Sequence, residues 1–207
     1  MRIAPSLFCA VGISLILVAS GSADWPSAKK AYDKQDYVSA LKELKPLAAS
    51  DDARAEALLG QMYEFGRGVP RDFARAFKLS KAAADRGNAS GELQVGMMYA
   101  NGWGVPADPT KGLWNVRLAA HQGLPEACFA LGMIYLGRPG IPADIVKADT
   151  WFRVAAARGF PGAAQQRGSL EGHMSPDQIT QAESLALEWE VSFLPAPHAK
   201  SDSAHKH

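Results

Sequence analysis

Long apolar runs are almost missing from this chain of 207 residues. The exception is Leu7 to Ala19, broken only by the polar Ser14. It is shorter than the roughly 20 residues that a spanning helix needs. Arg2 stands before it and the small residues Gly21-Ser22-Ala23 after it. That is the pattern of a secretory signal peptide, cut between Ala23 and Asp24, with a membrane anchor as the alternative. Cys9 does not fit a lipoprotein, because the apolar stretch follows it instead of preceding it. The expectation is a leader over residues 1–23, no stable membrane span after cleavage, and a periplasmic or secreted location. Cysteine is scarce too: Cys9 leaves with the leader and only Cys128 remains, which excludes an internal disulfide. An exported domain of this size has enough core to manage without one. Cys128 reads as a small buried residue, not a reactive thiol. Charge of one sign is absent as well. Lys and Arg number 22 against 21 Asp and Glu, a formal net charge of +1. Such a chain offers no uniform basic field to nucleic acid.

What the chain does have is a period. Gly60, Gly96 and Gly132 are 36 residues apart, and Tyr63, Tyr99 and Tyr135 keep the same step. So do Gly68, Gly104 and Gly140; Pro70, Pro106 and Pro142; Asp72, Asp108 and Asp144; and Arg75, Lys111 and Lys147. Ala83-Ala84, Ala119-Ala120 and Ala155-Ala156 follow, then Gly87, Gly123 and Gly159. Each unit reads as two helices. The first runs over 53–65 in copy one, with Leu59 and Tyr63 on one face. Glycine inside that helix costs about 1 kcal/mol relative to alanine, so its return in every copy argues for close helix packing. The Ala-Ala pair of the second helix is its expected partner. Gly66 to Pro70 then ends the first helix, and Asp72 caps the second. Asp108-Pro109 repeats the logic with proline at the first helical position. Pro125 and Pro161 are expected to open the next first helices. Short turns make neighbouring helices antiparallel, and stacked pairs make a solenoid.

The ends are weaker copies. Asp36 and Ala40 stand one period before Asp72 and Ala76, and Tyr37, Leu41, Leu44 and Leu47 line a degenerate helix in residues 24–52. Residues 53–164 hold the three repeats, at about 53–88, 89–124 and 125–160. Over 161–194 a fourth copy starts at Gly168 and fails. Ser175-Pro176-Asp177-Gln178 then begins a capping helix with Ile179, Ala182, Leu185, Ala186 and Trp189 on one stripe. Residues 195–207 have no apolar period and read as a disordered tail.

This lattice resembles the Sel-one-like repeat family, a branch of tetratricopeptide-like α/α solenoids. Copy one carries Ala55, Leu59, Gly60, Tyr63, Gly66, Gly68, Val69, Asp72, Ala76, Ala83, Ala84 and Gly87 of the family pattern. The tryptophan position agrees only at Trp151, being Leu79 and Asn115 in the other copies, and copy three has Arg138 where glycine is expected. The resemblance implies an all-α fold, a right-handed superhelix of antiparallel helix pairs. It also implies an adaptor or scaffold that binds protein partners, in some exported members at the cell envelope.

No catalytic constellation accompanies the repeat, and no cofactor or metal is expected. The Gly-x-Gly loops lack the strand and Lys-Ser/Thr context of phosphate sites. His121 and Cys128 are separated by a helix break, His173 lies in another break, and the tail histidines His198, His205 and His207 are widely spaced. The expected function is an exported protein–protein interaction module at the envelope. The alternative is a cell-wall enzyme or polymer-binding protein using Glu56, Glu64 and Glu92. Partner contact is expected on the concave groove lined by first helices, at Gln61, Glu64, Met97, Ala100 and Met133. Trp103 in its loop is a further anchor candidate.

Overall fold

The computed structural model describes residues 23–193. The expected leader up to residue 22, with Cys9, and the tail with its histidines lie outside the described residues. Within them the chain forms four helix pairs, α1 (Trp25–Asp33) with α2 (Tyr37–Ala49), α3 (Ala53–Phe65) with α4 (Phe73–Asp85), α5 (Ala89–Asn101) with α6 (Pro109–His121) and α7 (Pro125–Tyr135) with α8 (Ile145–Ala157), followed by α9 (Ala163–Glu171) and α10 (Pro176–Phe193), which both pack on α8. From α1 to α9 each helix packs on its neighbours in sequence, α3 also touches α5, and α10 packs back on α8. The fold is an all-α solenoid.

A three-part latch explains why Asp, Arg or Lys, and Tyr recur together. The aspartate at the start of each second helix accepts from the backbone N–H three residues on: Asp72 from Arg75 at 2.9 Å, Asp108 from Lys111 at 2.9 Å and Asp144 from Lys147 at 3.0 Å. The same carboxylates pair with those cationic side chains at 3.3, 3.0 and 2.7 Å. Each cation then lies 5.6 Å from the ring centre of Tyr63, Tyr99 or Tyr135. The aspartate N–H donates to that tyrosine's own carbonyl at 2.8–2.9 Å. One residue set thus caps the second helix and ties it to the end of the first.

The helical glycines do mark close approach, but not to the alanine pair. A Cβ on Gly60 would stand 2.6 Å from Ser80 Oγ, on Gly96 2.6 Å from Val116 Cγ2, and on Gly132 2.5 Å from Phe152 Cε1. Ser80, Val116 and Phe152 are one register position, three residues before the alanine pair. Ala83 and Ala84 instead meet Gly91 of the following repeat, whose Cβ would be 2.7 Å from Ala83 Cβ. The alanine pair therefore serves the contact between repeats, and the position before it the contact within a repeat.

The terminal copies depart where their sequence does. Gly66 and Gly102 end α3 and α5 in the left-handed conformation, at φ 69° and 71°. In copy three α7 stops two residues earlier, Leu136 stays right-handed, and Gly137 takes φ 111° beside an isolated bridge between Arg138 and Ile141. Pro161 does not open α9. It stands in a turn before Gly162, whose φ of 81° begins the helix at Ala163. Gly168 has nothing within 4 Å of a built Cβ, so the fourth copy lacks the close approach. The capping box forms as expected: Ser175 N–H donates to Gln178 Oε1 at 2.9 Å, and Gln178 N–H to Ser175 Oγ at 3.2 Å. Ala182 and Ala186 bury α10 against α8.

Arg153 fastens this cap. Its guanidinium meets fully buried Asp149 at 2.6 Å, Glu183 of α10 at 3.0 Å, and Glu171 of α9. Trp189 of α10 meets Trp151 at 4.4 Å, edge to face, and lies 4.8 Å from the His121 ring.

Candidate inner-face site

The first helices α1, α3, α5 and α7 present a common face. A pocket of about 410 Å³ lies off this face near the α5–α6 and α7–α8 turns, and a second, of about 350 Å³, lies on the face itself. The inner pocket is walled by Trp25, Lys29 and Tyr32 of α1, Arg54, Leu58 and Gln61 of α3, Ser90 and Gln94 of α5, and Glu126 of α7. Trp25, Lys29 and Tyr32 fall at spacings of four and three, one helical face. Arg54, Ser90 and Glu126 hold one register position, as do Leu58 and Gln94. The framework repeats while the chemistry along it changes.

Two of these side chains are held by others. Tyr32 accepts a hydrogen bond from Arg67 and donates its own to Gln61 Oε1 at 2.8 Å. Ser80, wholly buried, donates to Gln94 Oε1 at 2.6 Å. The missing Cβ of Gly60 is what admits this second bond, since it would sit 2.6 Å from Ser80 Oγ and 3.2 Å from Gln94 Oε1. Arg54 lies 5.2 Å from the centre of the Trp25 ring and pairs with Asp52 at 2.6 Å.

The expected site residues fare differently. Gln61 is in the pocket. Met97 and Met133 share its register position; Met97 is half-buried and Met133 is 40% exposed. Glu64 is not a groove-facing group: it is buried, and burial raises its carboxyl above the usual range, partly offset by Arg67. Ala100 lines the other pocket, near Arg138 and Pro109. Trp103 is no free anchor; it is half-buried and stacks on Phe73 at 5.5 Å and 16°.

The three glutamates expected to meet are each engaged elsewhere. Glu56 pairs with Arg86 at 3.1 Å, Glu92 accepts from Gln122 Nε2 at 2.8 Å, and the charge near Glu64 is Arg67. Burial dominates the upward shift of all three carboxyls. Cys128 stands one period after Glu92, and burial pushes its thiol up to about 11. A nucleophile needs the opposite shift. Among the described residues, no group of His, Cys, Asp and Glu is arranged to hold a metal, and no helix is long and apolar enough to cross a membrane.

Tyr32, Gln94, Trp25 and Arg54 were missed by sequence reasoning. For Arg54 and Gln94 the available signal was register, positions of the first helices whose identity changes from copy to copy; Tyr32 has no such signal, because one period on stands Gly68, outside α3.

The Sel1 repeat pattern matches residues 53–88, 89–124 and 125–160, more than half of the chain. The chain belongs to the Sel1 repeat family. Sel1 repeats are protein-interaction modules and generally non-catalytic. Among solved structures, a Sel1 repeat protein from Oxalobacter formigenes is 24% identical with a TM-score of 0.63, covering 79% of this chain and 67% of that one. A protective antigen of uropathogenic Escherichia coli with an SLR fold is 22% identical with a TM-score of 0.65, covering 81% of this chain. This chain spans only 38% of that antigen. Both likenesses are of fold. No curated protein matches significantly.

Proposed function

We propose that this Sel1 repeat protein is an exported scaffold at the bacterial cell envelope that holds a protein partner on its inner face. One observation carries the reading: the first helices present hydrogen-bonding side chains that the scaffold itself holds in place, as Tyr32 holds Gln61 and Ser80 holds Gln94. Held side chains lose less freedom on binding. The pattern before Ala23 supports export, and α1 begins just past that cut, so cleavage would leave every described helix whole. The competing reading, a cell-wall enzyme, loses its expected paired carboxylates, because Glu56, Glu64 and Glu92 are engaged with different partners.

A photo-crosslinking amino acid placed at Met97 or Met133, and at exposed Lys78 of α4 as control, tests the binding reading in intact cells. A discrete adduct at the first two positions and not at the third is expected. Equal labelling at all three, or none, overturns the inner-face assignment. Fractionation with N-terminal sequencing should place the protein outside the cytoplasm, starting at Asp24.

A further inference from the structure

Resting on the inner-face reading, we infer that the pocket between α1, α3 and α5 takes an extended peptide segment rich in acceptors, its acidic side chains toward α1 and α3. The argument begins with proton counting. Tyr32 oxygen already accepts from Arg67, so its single proton goes to Gln61 Oε1. That bond fixes the carboxamide and leaves its NH₂ as the end offered to the pocket. Gln94 is fixed in the same sense, its oxygen bound to the buried Ser80 hydroxyl. Two glutamines that could have offered either end both offer donors.

The surrounding charge agrees. Lys29 and Arg54 stand on the α1–α3 side of the pocket, and Glu126 on the α7 side. Lys29 and Arg54 pair with Asp33 and Asp52, yet both remain about half exposed, so donors are left over. The wall is rich in N–H groups at one end and carries a carboxylate at the other. An α-helix is a poor match, because its carbonyls are spent internally except in the last turn. An extended chain offers its backbone carbonyls along its length, and side-chain carboxylates add charge-assisted bonds to Arg54 and Lys29. The ring of Trp25 supplies apolar surface beside them.

The test exploits how the glutamines are held. Gln61→Glu and Gln94→Glu keep an oxygen for Tyr32 and Ser80 to donate to, while the outward donor becomes an acceptor. The probe is a displayed library of random short peptides selected on the mature protein, followed by titration of the selected peptides. Selected sequences are expected to be enriched in Asp and Glu. The Gln61→Glu/Gln94→Glu protein is expected to bind them about tenfold more weakly or worse, because two donated hydrogen bonds are lost and two carboxylates are added facing an acidic peptide. Its melting temperature is expected to stay near that of the wild type. Arg54→Gln is the second variant, with loss of acidic-peptide binding expected. Peptides that are basic or purely apolar, or that bind the double variant unchanged, overturn the inference. Loss of binding only on Met97→Ala/Met133→Ala would overturn it too, but would leave the interaction reading standing at the far end of the same face. Binding of soluble wall polymer in place of any peptide would overturn both.

Discussion

Gly96 and Gly168 are two periods apart and both lie inside first helices, yet alanine should act on them with opposite sign. At Gly96 the new Cβ would stand 2.6 Å from Val116 Cγ2, 2.9 Å from the Gly112 carbonyl oxygen and 2.9 Å from Val116 N. Two of those atoms are backbone of α6, so relief requires α5 and α6 to separate. Overpacking of this kind costs up to about 3 kcal/mol. The better helix propensity of alanine returns about 1 kcal/mol. The net loss is about 2 kcal/mol, a drop in Tm of about 4–8 °C for a chain of this size. At Gly168 nothing lies within 4 Å, so only the propensity gain remains. Gly168→Ala should stabilise by about 0.5–1 kcal/mol and raise Tm by roughly 1–4 °C. Far-UV circular dichroism melts of the protein from Asp24 onward measure both. Stacked repeats need not melt as one unit, so urea unfolding followed by tryptophan fluorescence accompanies them. Gly96→Ala melting at or above the wild type, or the two variants shifting the same way, would refute the assignment of the repeated glycine to helix contact.

Arg153→Ala strands Asp149 in the core and releases both α9 and α10; a loss of about 3–5 kcal/mol is expected in urea unfolding. Burial raises the Glu64 carboxyl above its ordinary value of 4.5, so the folded state holds its proton longer and stability falls as pH rises through that range. Glu64→Gln removes this loss, and its urea midpoint should gain on the wild type as pH rises above the ordinary carboxyl value; a flat difference would contradict it. With its thiol pushed up to about 11, Cys128 should resist an aromatic disulfide reagent at mild alkaline pH in the native protein and react, as one thiol, only after unfolding. A second thiol in the count would mean that Cys9 had been retained. Trp103→Ala removes the stack on Phe73 and should cost about 1–2 kcal/mol, since aromatic pairing adds only about 0.5–1.5 kcal/mol beyond area and the ring is half-buried.

The repeat was legible because it is enforced by backbone. Asp72, Asp108 and Asp144 must cap, Gly66 and Gly102 must turn left-handed, and Gly60, Gly96 and Gly132 must lack a side chain. Those demands are local or recur identically, so a single sequence displays them. The partner of the repeated glycine was not legible. Ser80, Val116 and Phe152 share a position but no chemistry, and only the fold shows that each fills the same gap differently. The positions of the candidate residues were legible in part. Gln61 lines the inner pocket as its helix face implies, whereas Glu64 is buried and Trp103 stacks on Phe73. A face assigned by spacing does not say which long side chain folds back: Glu64 turns into the body toward Arg67, and Trp103 lies down on Phe73.

A second period was hidden inside the first. Glu56 meets Arg86, Glu92 meets Gln122, and Cys128 feels Arg158, each pair 30 residues apart along the chain and 36 residues from the next pair. The pair weakens from ion pair to amide contact to thiol as the chain advances. In sequence the weakening reads as drift. In the fold it coincides with the docking of the cap. Arg158, whose counterpart at this register position is the Cys128 thiol, places its guanidinium 5.8 Å from the centre of the Trp189 ring, beside His121 and Trp151. An acid at position 128 would draw Arg158 away from α10. Cys128→Glu should therefore loosen the last helix while leaving α1 to α6 intact. Quenching of Trp189 fluorescence by iodide would register that loosening, and unchanged accessibility would mean that the cap does not depend on the vacated acid position.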